Sequence, residues 1–211
     1  MALEIETKLN IPETSLRRVL ALDILKQASF MGVKLLKNSY FDTPELSLSA
    51  NKVALRIREV KGKFIQTLKT QGSSVEGMHQ RHEWEWEVPA FELQTALLET
   101  VNWQAPTVHP VDLSKLKIIF TTDFERKTWI YEDADGGRIE IALDQGEVNY
   151  THDDGHIYRD AICELELELL SGSVDTLVKV TESIRKALPE LTASDVSKAQ
   201  RGFRLFEQAK A

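Results

Sequence analysis

Strict alternation of apolar and charged residues is the dominant pattern along this chain. In the opening segment LEIETKL, Glu4, Glu6 and Lys8 alternate with Leu3, Ile5 and other uncharged residues. Residues two apart in a β-strand share one face of a sheet. The same period recurs in VALRIREV, FIQTLKT, RHEWEWEV, FERKTWIYE, RIEIALD and ICELELELL. The pattern predicts seven or eight strands, each with one apolar and one charged face.

Helical periodicity replaces alternation in a few segments. A first helix is predicted after Pro12, which the first turn of a helix accepts. A second amphipathic helix is predicted over 174–188, where Pro189 ends it, and a third, less regular one over 91–101. The apolar stripe of the first helix consists of Leu16, Leu20, Ile24 and Ala28.

The amphipathic helices need an apolar surface to lie on, and the apolar strand faces supply it. A sheet that closes on itself with these faces outward, covered by helices, leaves the charged faces lining an interior. We therefore expect one β-rich domain, closed or nearly closed, with a charged lumen. The alternative for each single strand is a charged face in contact with solvent.

The charges on the predicted strands are sorted by sign, which favours the lumen over a solvated face. Like charges side by side on a strand repel unless a counter-charge lies between them. The cations on these faces are Lys8, Arg56, Arg58, Lys69, Arg81 and Arg126. The carboxylates are Glu4, Glu6, Glu83, Glu85, Glu140, Asp144, Glu164 and Glu166.

Charge buried on this scale is tolerable only if it is paired or liganded. Carboxylates hold hard cations such as Mg²⁺ or Mn²⁺ through oxygen, and Arg and Lys hold phosphate oxygens. The composition of the faces therefore points to a metal-dependent phosphate ligand. Periodicity alone goes no further.

Length and composition exclude several classes of function. The chain has 211 residues, 42% apolar and 28% charged, which is ordinary for a globular protein. Its net charge of −7 argues against sequence-independent nucleic-acid binding, which needs basic surface. No apolar run approaches the roughly 20 residues of a membrane span. The N-terminus lacks a signal-peptide pattern, and the single Cys163 excludes an intrachain disulfide. We expect a cytoplasmic protein that binds neither membranes nor nucleic acids.

Nine ordered segments resemble the CYTH superfamily, the triphosphate tunnel metalloenzymes. EIETK matches the Glu-x-Glu-x-Lys opening of that family, and the resemblance spans about residues 3–205. IEIALDQGEV and CELELELLSG are most similar to the bacterial inorganic triphosphatase branch, whose CYTH domain is often followed by a helical CHAD domain. Here we expect a single CYTH domain over 1–211 and no CHAD domain. The other segments are YFDTP, LRIRE, TLK, GMHQRHEWE, TDFERKTW and SKAQRGFRL.

The resemblance implies a fold of the α+β class that is mainly antiparallel β, an eight-stranded tunnel with helices packed outside. It also implies roles for individual residues. The catalytic set would be Glu4, Glu6, Lys8, Lys69 and Glu166. The substrate would be bound by Lys8, Arg56, Arg58, Lys69, Arg81, Arg126, Lys198 and Arg201. Metal would be held by Glu4, Glu6, Glu83, Asp144, Glu164 and Glu166. A weaker match to the family applies to Glu85, Glu140 and Glu168.

The activity implied by the resemblance is hydrolysis of inorganic triphosphate to pyrophosphate and phosphate with Mg²⁺ or Mn²⁺. Two alternatives stay open. One is another enzyme of the superfamily, an adenylate cyclase or a phosphatase for thiamine triphosphate or nucleoside triphosphates. The other is a non-catalytic polyphosphate-binding module, which the full set of carboxylates disfavours. The expected partner is a small-molecule triphosphate, and the chain is expected to be a monomer or a homodimer.

Other residues that invite a functional reading are expected to be structural. The histidines lack zinc-ligand spacing. They are His79, His82, His109, His152 and His156. Trp84, Trp86 and Trp129 alternate with charged positions and are expected to pack beneath helices, and Trp103 carries no assigned role.

Overall fold

The computed structural model describes residues 2–70, 72–102 and 110–210. Trp103 and His109 lie outside these ranges. Within them, no helix has the length and apolar character that a membrane crossing requires. The strands in chain order are β1 (Ala2–Asn10), β2 (Ser29–Asp42), β3 (Ala54–Val60), β4 (Lys63–Lys69), β5 (Ser73–Val75), β6 (Met78–Val88), β7 (Lys117–Glu132), β8 (Arg138–Thr151), β9 (Ile157–Ser171) and β10 (Thr192–Ala193).

Eight of these strands close into an antiparallel barrel. The neighbours around the wall are β1, β9, β8, β7, β2, β3, β4 and β6, and β6 pairs with β1 to complete the circuit. The short strands β5 and β10 extend the sheet beside β6 and β1. The predicted fold class, a closed and mainly antiparallel barrel, is confirmed.

The helices are short, with the exception of two near the C-terminus. Single 3-10 turns lie at Glu13–Ser15 and Leu113–Lys115. The α-helices are α1 (Leu16–Leu20), α2 (Asp23–Gln27), α3 (Ser47–Ala50), α4 (Thr95–Glu99), α5 (Val174–Ala187) and α6 (Lys198–Gln208).

Two of the predicted helices differ from the observed ones. The first is broken in two, because Leu22 is extended (φ −56°, ψ 137°) between α1 and α2. This break lets Leu22 and Leu25 enter the core, while Leu20 of the predicted apolar stripe stays 46% exposed. The helix predicted over 91–101 is only the single turn of α4. The helix predicted over 174–188 is confirmed as α5.

The outward apolar faces of β1, β8 and β9 form one core beneath α1, α2 and α5. Ile141 and Leu165 of the strands and Leu177 of α5 are fully buried in the same cluster. Each such side chain contributes about 1.5–3 kcal/mol through burial. The hydroxyls of Thr7 and Thr181 hydrogen-bond at 2.7 Å and join β1 to α5. The predicted orientation, with apolar faces outward, is therefore confirmed.

A second outer core covers β3, β4 and β6 on the other side of the barrel. Leu48 of α3 and Leu98 of α4 pack with Leu55, Ile57 and Leu68 of the strands. Trp84 and Trp86 pack against this cluster, and Trp129 is buried in the first one, as predicted.

Helix α6 packs on the lumen side of the barrel, unlike the other helices. Its residues Phe203 and Phe206 share a cluster with Phe120, Phe124 and inward-facing residues of β8 and β9. A Cβ atom at position 202 would overlap the Phe120 ring, so Gly202 permits the close approach of helix and strand. This packing fills part of one end of the lumen and brings the first turn of α6 to the charged interior.

Candidate active site

The barrel encloses a cavity of about 590 Å³ lined by inward-facing charged residues. Most of the predicted site residues line it. They are Glu4, Glu6, Lys8, Arg56, Arg58, Lys69, Arg81, Glu83, Arg126, Glu166 and Lys198. Asp144, Glu164 and Arg201 are not among the lining residues. The alternation of the strands therefore brings most of the predicted set together around one space.

Strand registers place opposite charges directly across from one another. Such cross-strand pairs stabilise a sheet, whereas like charges directly opposite destabilise it. The opposed pairs are Glu4 with Arg81, Lys69 with Glu83, Arg126 with Asp144 and Lys8 with Glu166. Much of the lumen charge is thus balanced by the register of the sheet itself.

The first ion-pair network joins β1, β4 and β6 around Glu4. Lys69 Nζ donates to both Glu4 oxygens at 2.9 and 3.1 Å, and Arg81 Nε donates to Glu4 Oε2 at 2.9 Å. Arg81 also donates to Glu6 Oε1 at 2.9 Å, and Lys69 lies 2.9 Å from Glu83. Burial alone would raise the pKa of Glu4, but Lys69 and Arg81 outweigh it and lower that pKa well below its ordinary value.

The second network is centred on Lys198 of α6. Its ammonium lies 2.6 Å from Asp144 Oδ2 and 3.0 Å from Glu166 Oε1, and it also contacts Glu164. Arg126 binds Asp144 through two parallel hydrogen bonds of 2.7 and 2.6 Å and also contacts Glu166. These three carboxylates lie within 4.8 Å of one another, as metal ligands would. In this structure, however, Lys198, Arg126 and Lys8 already balance their charge, since Lys8 lies 3.3 Å from Glu166 and 3.8 Å from Glu164.

Two of the predicted metal ligands are therefore placed beneath the cavity wall. Asp144 is fully buried and Glu164 is 1% exposed, and both face Lys198. Arg201, predicted to bind substrate, instead donates to Asp160 Oδ2 at 2.6 Å and to the carbonyl of Ala161. Whether these three residues act in the reaction stays a prediction.

Arg58 is a lumen cation that the structure leaves without an acidic partner. Its Nε donates to the amide oxygen of Asn38 at 2.9 Å, and none of the described carboxylates lies within ion-pair distance of it. Burial, with Arg56 and Arg126 nearby, lowers the pKa of Arg58 to about 10. Arg56 has weaker compensation, since Glu83 and Glu85 both lie 3.8 Å away and its buried Nε has no partner. These guanidiniums can accept the negative charge of a ligand.

A row of like charges crosses three strands at the other side of the lumen. Glu168 of β9 lies opposite Glu6 of β1 and opposite Glu140 of β8. Burial raises the pKa of Glu168 to about 7, and the nearby charges of Glu4 and Glu140 add to that shift. No cation of the described residues pairs with Glu168, and Glu140 has only Arg126, at 4.0 Å.

This acidic row fits a hard divalent cation. Carboxylates that are buried, mutually repelling and unpaired are costly unless a positive charge lies between them. The oxygens of Glu168 and the second oxygen of Glu6 have no protein donor among the described residues. The donor set is all oxygen, which Mg²⁺ and Mn²⁺ prefer.

Several lumen residues had no assigned role in the sequence analysis. Asn38 and Tyr40 lie on β2 with their side chains buried, and Tyr40 lines the cavity. Burial would raise the pKa of the Tyr40 hydroxyl, but Arg56 and Arg58 outweigh it and lower that pKa. The segment KNSYFD alternates too weakly to mark these positions. Glu140 and Glu168 lie on the charged faces of their strands, as the alternation predicts. That they lie opposite each other follows from the register of β8 and β9, which was not visible in the sequence.

The chain is similar to a family of known sequences and to a curated protein. The family described as CYTH domain matches residues 2–203. The inorganic triphosphatase of Haemophilus influenzae is 35% identical over 173 residues, which cover 81% of this chain and 46% of that protein. The chain thus spans about half the length of this curated relative.

Solved structures share the fold. A candidate adenylyl cyclase from Hippeastrum with a dominant triphosphatase activity superposes with a TM-score of 0.64 at 22% identity, covering 99% of this chain and 97% of that one. A candidate adenylate cyclase from Bacillus halodurans gives 0.59 at 22% identity, covering 95% and 98%. At such identities the likeness concerns the fold alone.

Proposed function

The chain belongs to the CYTH domain family, and on that premise we propose that it hydrolyses inorganic triphosphate to pyrophosphate and phosphate with a divalent metal ion. The observation that carries this proposal is the division of one enclosed cavity into two parts. On the cationic side, Arg58 has no carboxylate partner among the described residues, and Arg56 has carboxylates only at 3.8 Å. On the acidic side, Glu168 has no paired cation among them, while Glu6 and Glu140 share the cations Arg81 and Arg126 with other carboxylates. A polyphosphate with a bound metal ion matches both parts, because its phosphates are negative and its metal ion is positive.

The substrate would lie along the cavity with its oxygens on the guanidiniums and ammoniums. Arg56 and Arg58 have free donors, and Arg81 keeps its Nη1 donors because only its Nε and Nη2 contact carboxylates. Lys69 contacts both Glu4 oxygens and Glu83, so it would have to exchange one of these contacts for a phosphate oxygen. Guanidinium groups bind phosphate oxygens through paired, charge-assisted hydrogen bonds. Preorganised cations of this kind stabilise the charge that develops on the transferred phosphoryl group.

The metal would be held by Glu6 and Glu168, with Glu140 beside them. Glu4 could join them only by exchanging its contacts with Lys69 and Arg81. Bound there, Mg²⁺ or Mn²⁺ would supply Lewis-acid stabilisation of phosphate oxygens. The carboxylates of the acidic row orient a water molecule for in-line attack on the terminal phosphorus. The water oxygen forms the new P–O bond, the bond to the bridging oxygen breaks with its electron pair going to pyrophosphate, and a carboxylate takes up the proton of the water.

The Haemophilus relative is an inorganic triphosphatase, which supports this substrate over an organic triphosphate. Charged groups predominate in the lining, and the apolar or aromatic side chains that a base could contact are few: Tyr40, Val53, Ala54, Phe124, Ala199 and Phe203. The cytoplasmic location, the single-domain organisation and the monomeric or dimeric state stay predictions.

The test is a substrate panel with purified protein. Inorganic triphosphate, ATP and thiamine triphosphate are compared with Mg²⁺, with Mn²⁺ and with EDTA, and phosphate, pyrophosphate and cyclic AMP are quantified. We expect metal-dependent release of equal amounts of pyrophosphate and phosphate, fastest from inorganic triphosphate. Glu6→Gln is expected to lower kcat about 10²–10³-fold, while Glu13→Gln, at an exposed site, is not. Preference for an organic substrate, cyclic AMP formation or inactivity with both metals would overturn the proposal.

A further inference from the structure

A buried amide holds the Arg58 guanidinium in place. Arg58 Nε donates to Asn38 Oδ1 at 2.9 Å, and Asn38 Nδ2 donates to Thr122 Oγ1 at 2.9 Å. The three residues lie side by side on β3, β2 and β7, where the register pairs Asn38 with Arg58 and with Thr122. Asn38 is 1% exposed and Thr122 is fully buried, so water does not compete for these hydrogen bonds.

The neutral partner distinguishes Arg58 from most other lumen cations of the described residues. Lys8, Lys69, Arg81, Arg126 and Lys198 each have a carboxylate at 3.3 Å or closer. A carboxylate orients a cation but also neutralises it. The asparagine oxygen orients the guanidinium through one of its five donors and leaves the four donors on Nη1 and Nη2, with the full charge.

We propose that Asn38 is a positioning residue for substrate binding, which fixes the Arg58 guanidinium toward the cavity while preserving its charge for a phosphate group. This inference rests on the proposed function, because a triphosphate is the anion that Arg58 would meet. The side chain at position 38 has to be neutral. An aspartate there would fit the same space as the Asn38 amide and would form a buried ion pair with Arg58. Such a pair competes directly with phosphate for the same donors.

The alternative is that Asn38 only satisfies buried hydrogen bonds between strands. Under that alternative, replacements at position 38 affect stability, and any loss of activity follows the loss of folded protein. Under the proposal, Asn38→Asp changes substrate affinity in a protein that stays folded, and the change depends on the presence of Arg58. A double-mutant cycle separates the two.

The experiment compares wild type, Asn38→Asp, Arg58→Gln and the double variant by steady-state kinetics and by calorimetric titration of inorganic triphosphate without metal. Asn149→Asp on β8 is the matched control, since it makes the same exchange at a position that does not line the cavity. We expect Asn38→Asp to raise KM and the dissociation constant at least tenfold, with a smaller change in kcat. In the Arg58→Gln background, Asn38→Asp should change KM and the dissociation constant less than twofold.

Equal effects of Asn38→Asp in the wild-type and Arg58→Gln backgrounds would overturn the inference. Unchanged triphosphate affinity of Asn38→Asp would overturn it as well. In either case, hydrolysis of triphosphate by the wild-type protein leaves the proposed function standing. Should Asn38→Asp fail to fold, Asn38→Ser is measured instead. The shorter serine hydroxyl cannot hold the guanidinium, so a loss of affinity again supports the inference and unchanged affinity overturns it. A wild-type protein that neither binds nor hydrolyses triphosphate would overturn the proposed function and this inference together.

Discussion

The ammonium of Lys198 lies 2.6 Å from Oδ2 of Asp144, which joins the last helix to the middle of strand β8. Burial would lower the pKa of Lys198, but Asp144, Glu164 and Glu166 outweigh it and raise that pKa above its ordinary value. The lysine therefore carries its charge throughout the physiological pH range. It acts as an internal counter-ion for three buried carboxylates.

Removal of this counter-ion should destabilise the protein strongly. In Lys198→Met the three carboxylates keep Arg126 and Lys8, with a longer contact of 3.8 Å between Glu164 and Arg201. A buried ion pair broken on one side costs about 3–5 kcal/mol. Urea unfolding monitored by circular dichroism measures the change. Arg204→Met, at an exposed position on the same helix, is the control and should stay within ~0.5 kcal/mol of wild type. Equal stability of the two variants would contradict the role given to Lys198.

The contact between α6 and β7 should tolerate no added methyl group at Gly202. A Cβ atom there overlaps the Phe120 ring, which also stacks on Tyr40 with ring centroids 4.6 Å apart. Gly202→Ala is expected to lose about 1–3 kcal/mol through overpacking, despite the higher helix propensity of alanine. Thermal unfolding compares it with Glu207→Ala on the exposed side of α6. A stabilised Gly202→Ala would show that α6 does not pack as described.

Stability of the metal-free protein should fall as the pH rises through neutrality. The pKa of Glu168 is raised from 4.5 to about 7 in the folded state, so the folded protein binds a proton there that the unfolded chain releases. The stabilisation is fully present below about pH 4.5 and is lost as the pH passes 7, a change of about 2–3 kcal/mol for this group. Unfolding in EDTA from pH 5 to 8 measures it.

The glutamine variant isolates the contribution of Glu168 in that profile. Glu168→Gln does not titrate, so its stability should decline less over the same range, and the difference between the two profiles is the signal. Added Mg²⁺ or Mn²⁺ should stabilise wild type more than Glu168→Gln, and more at pH 8 than at pH 6. Parallel profiles for both proteins would contradict the raised pKa.

Lys52 should attract the polyanion at one end of the cavity. This exposed lysine lines the cavity and precedes the start of β3 in the chain. Lys61, at the other end of β3, is also exposed, has a similarly left-handed backbone (φ 50° against 57°) and does not line the cavity. We expect Lys52→Glu to lower kcat/KM for triphosphate about 3–10-fold at low salt, with convergence toward wild type at high salt.

Lys61→Glu is the matched control for that measurement and should leave kcat/KM within twofold. Equal effects of the two variants would show that only the net charge of the protein matters. An undiminished effect of Lys52→Glu at high salt would indicate a direct contact and not long-range attraction.

The barrel and its charged lumen could be predicted from the sequence because alternation is a local property. Glu4, Glu6 and Lys8 share a face whichever strand lies beside them. The register of the strands determines which groups pair across them, and the register cannot be read from the sequence. Glu4 meets Arg81 and Lys69 from two other strands, whereas Glu6 meets Glu168, and the first relation is an ion pair while the second is a repulsion.

The remaining surprises come from packing at a distance. The break of the first predicted helix at Leu22 depends on the outer core that receives it. The position of α6 inside the barrel depends on a glycine facing a phenylalanine some eighty positions earlier. The role proposed for Asn38 depends on its neighbours on the adjacent strands, Arg58 and Thr122. None of these relations is visible in the local pattern.

The closure of the barrel has a consequence for biosynthesis. Strand β1 is hydrogen-bonded to β6 on one edge and to β9 on the other. A nascent chain therefore exposes one edge of its first strand to solvent until Ile157–Ser171 has left the ribosome. Chaperone binding during translation should be strongest in that interval. It should end when β9 pairs with β1 and closes the barrel.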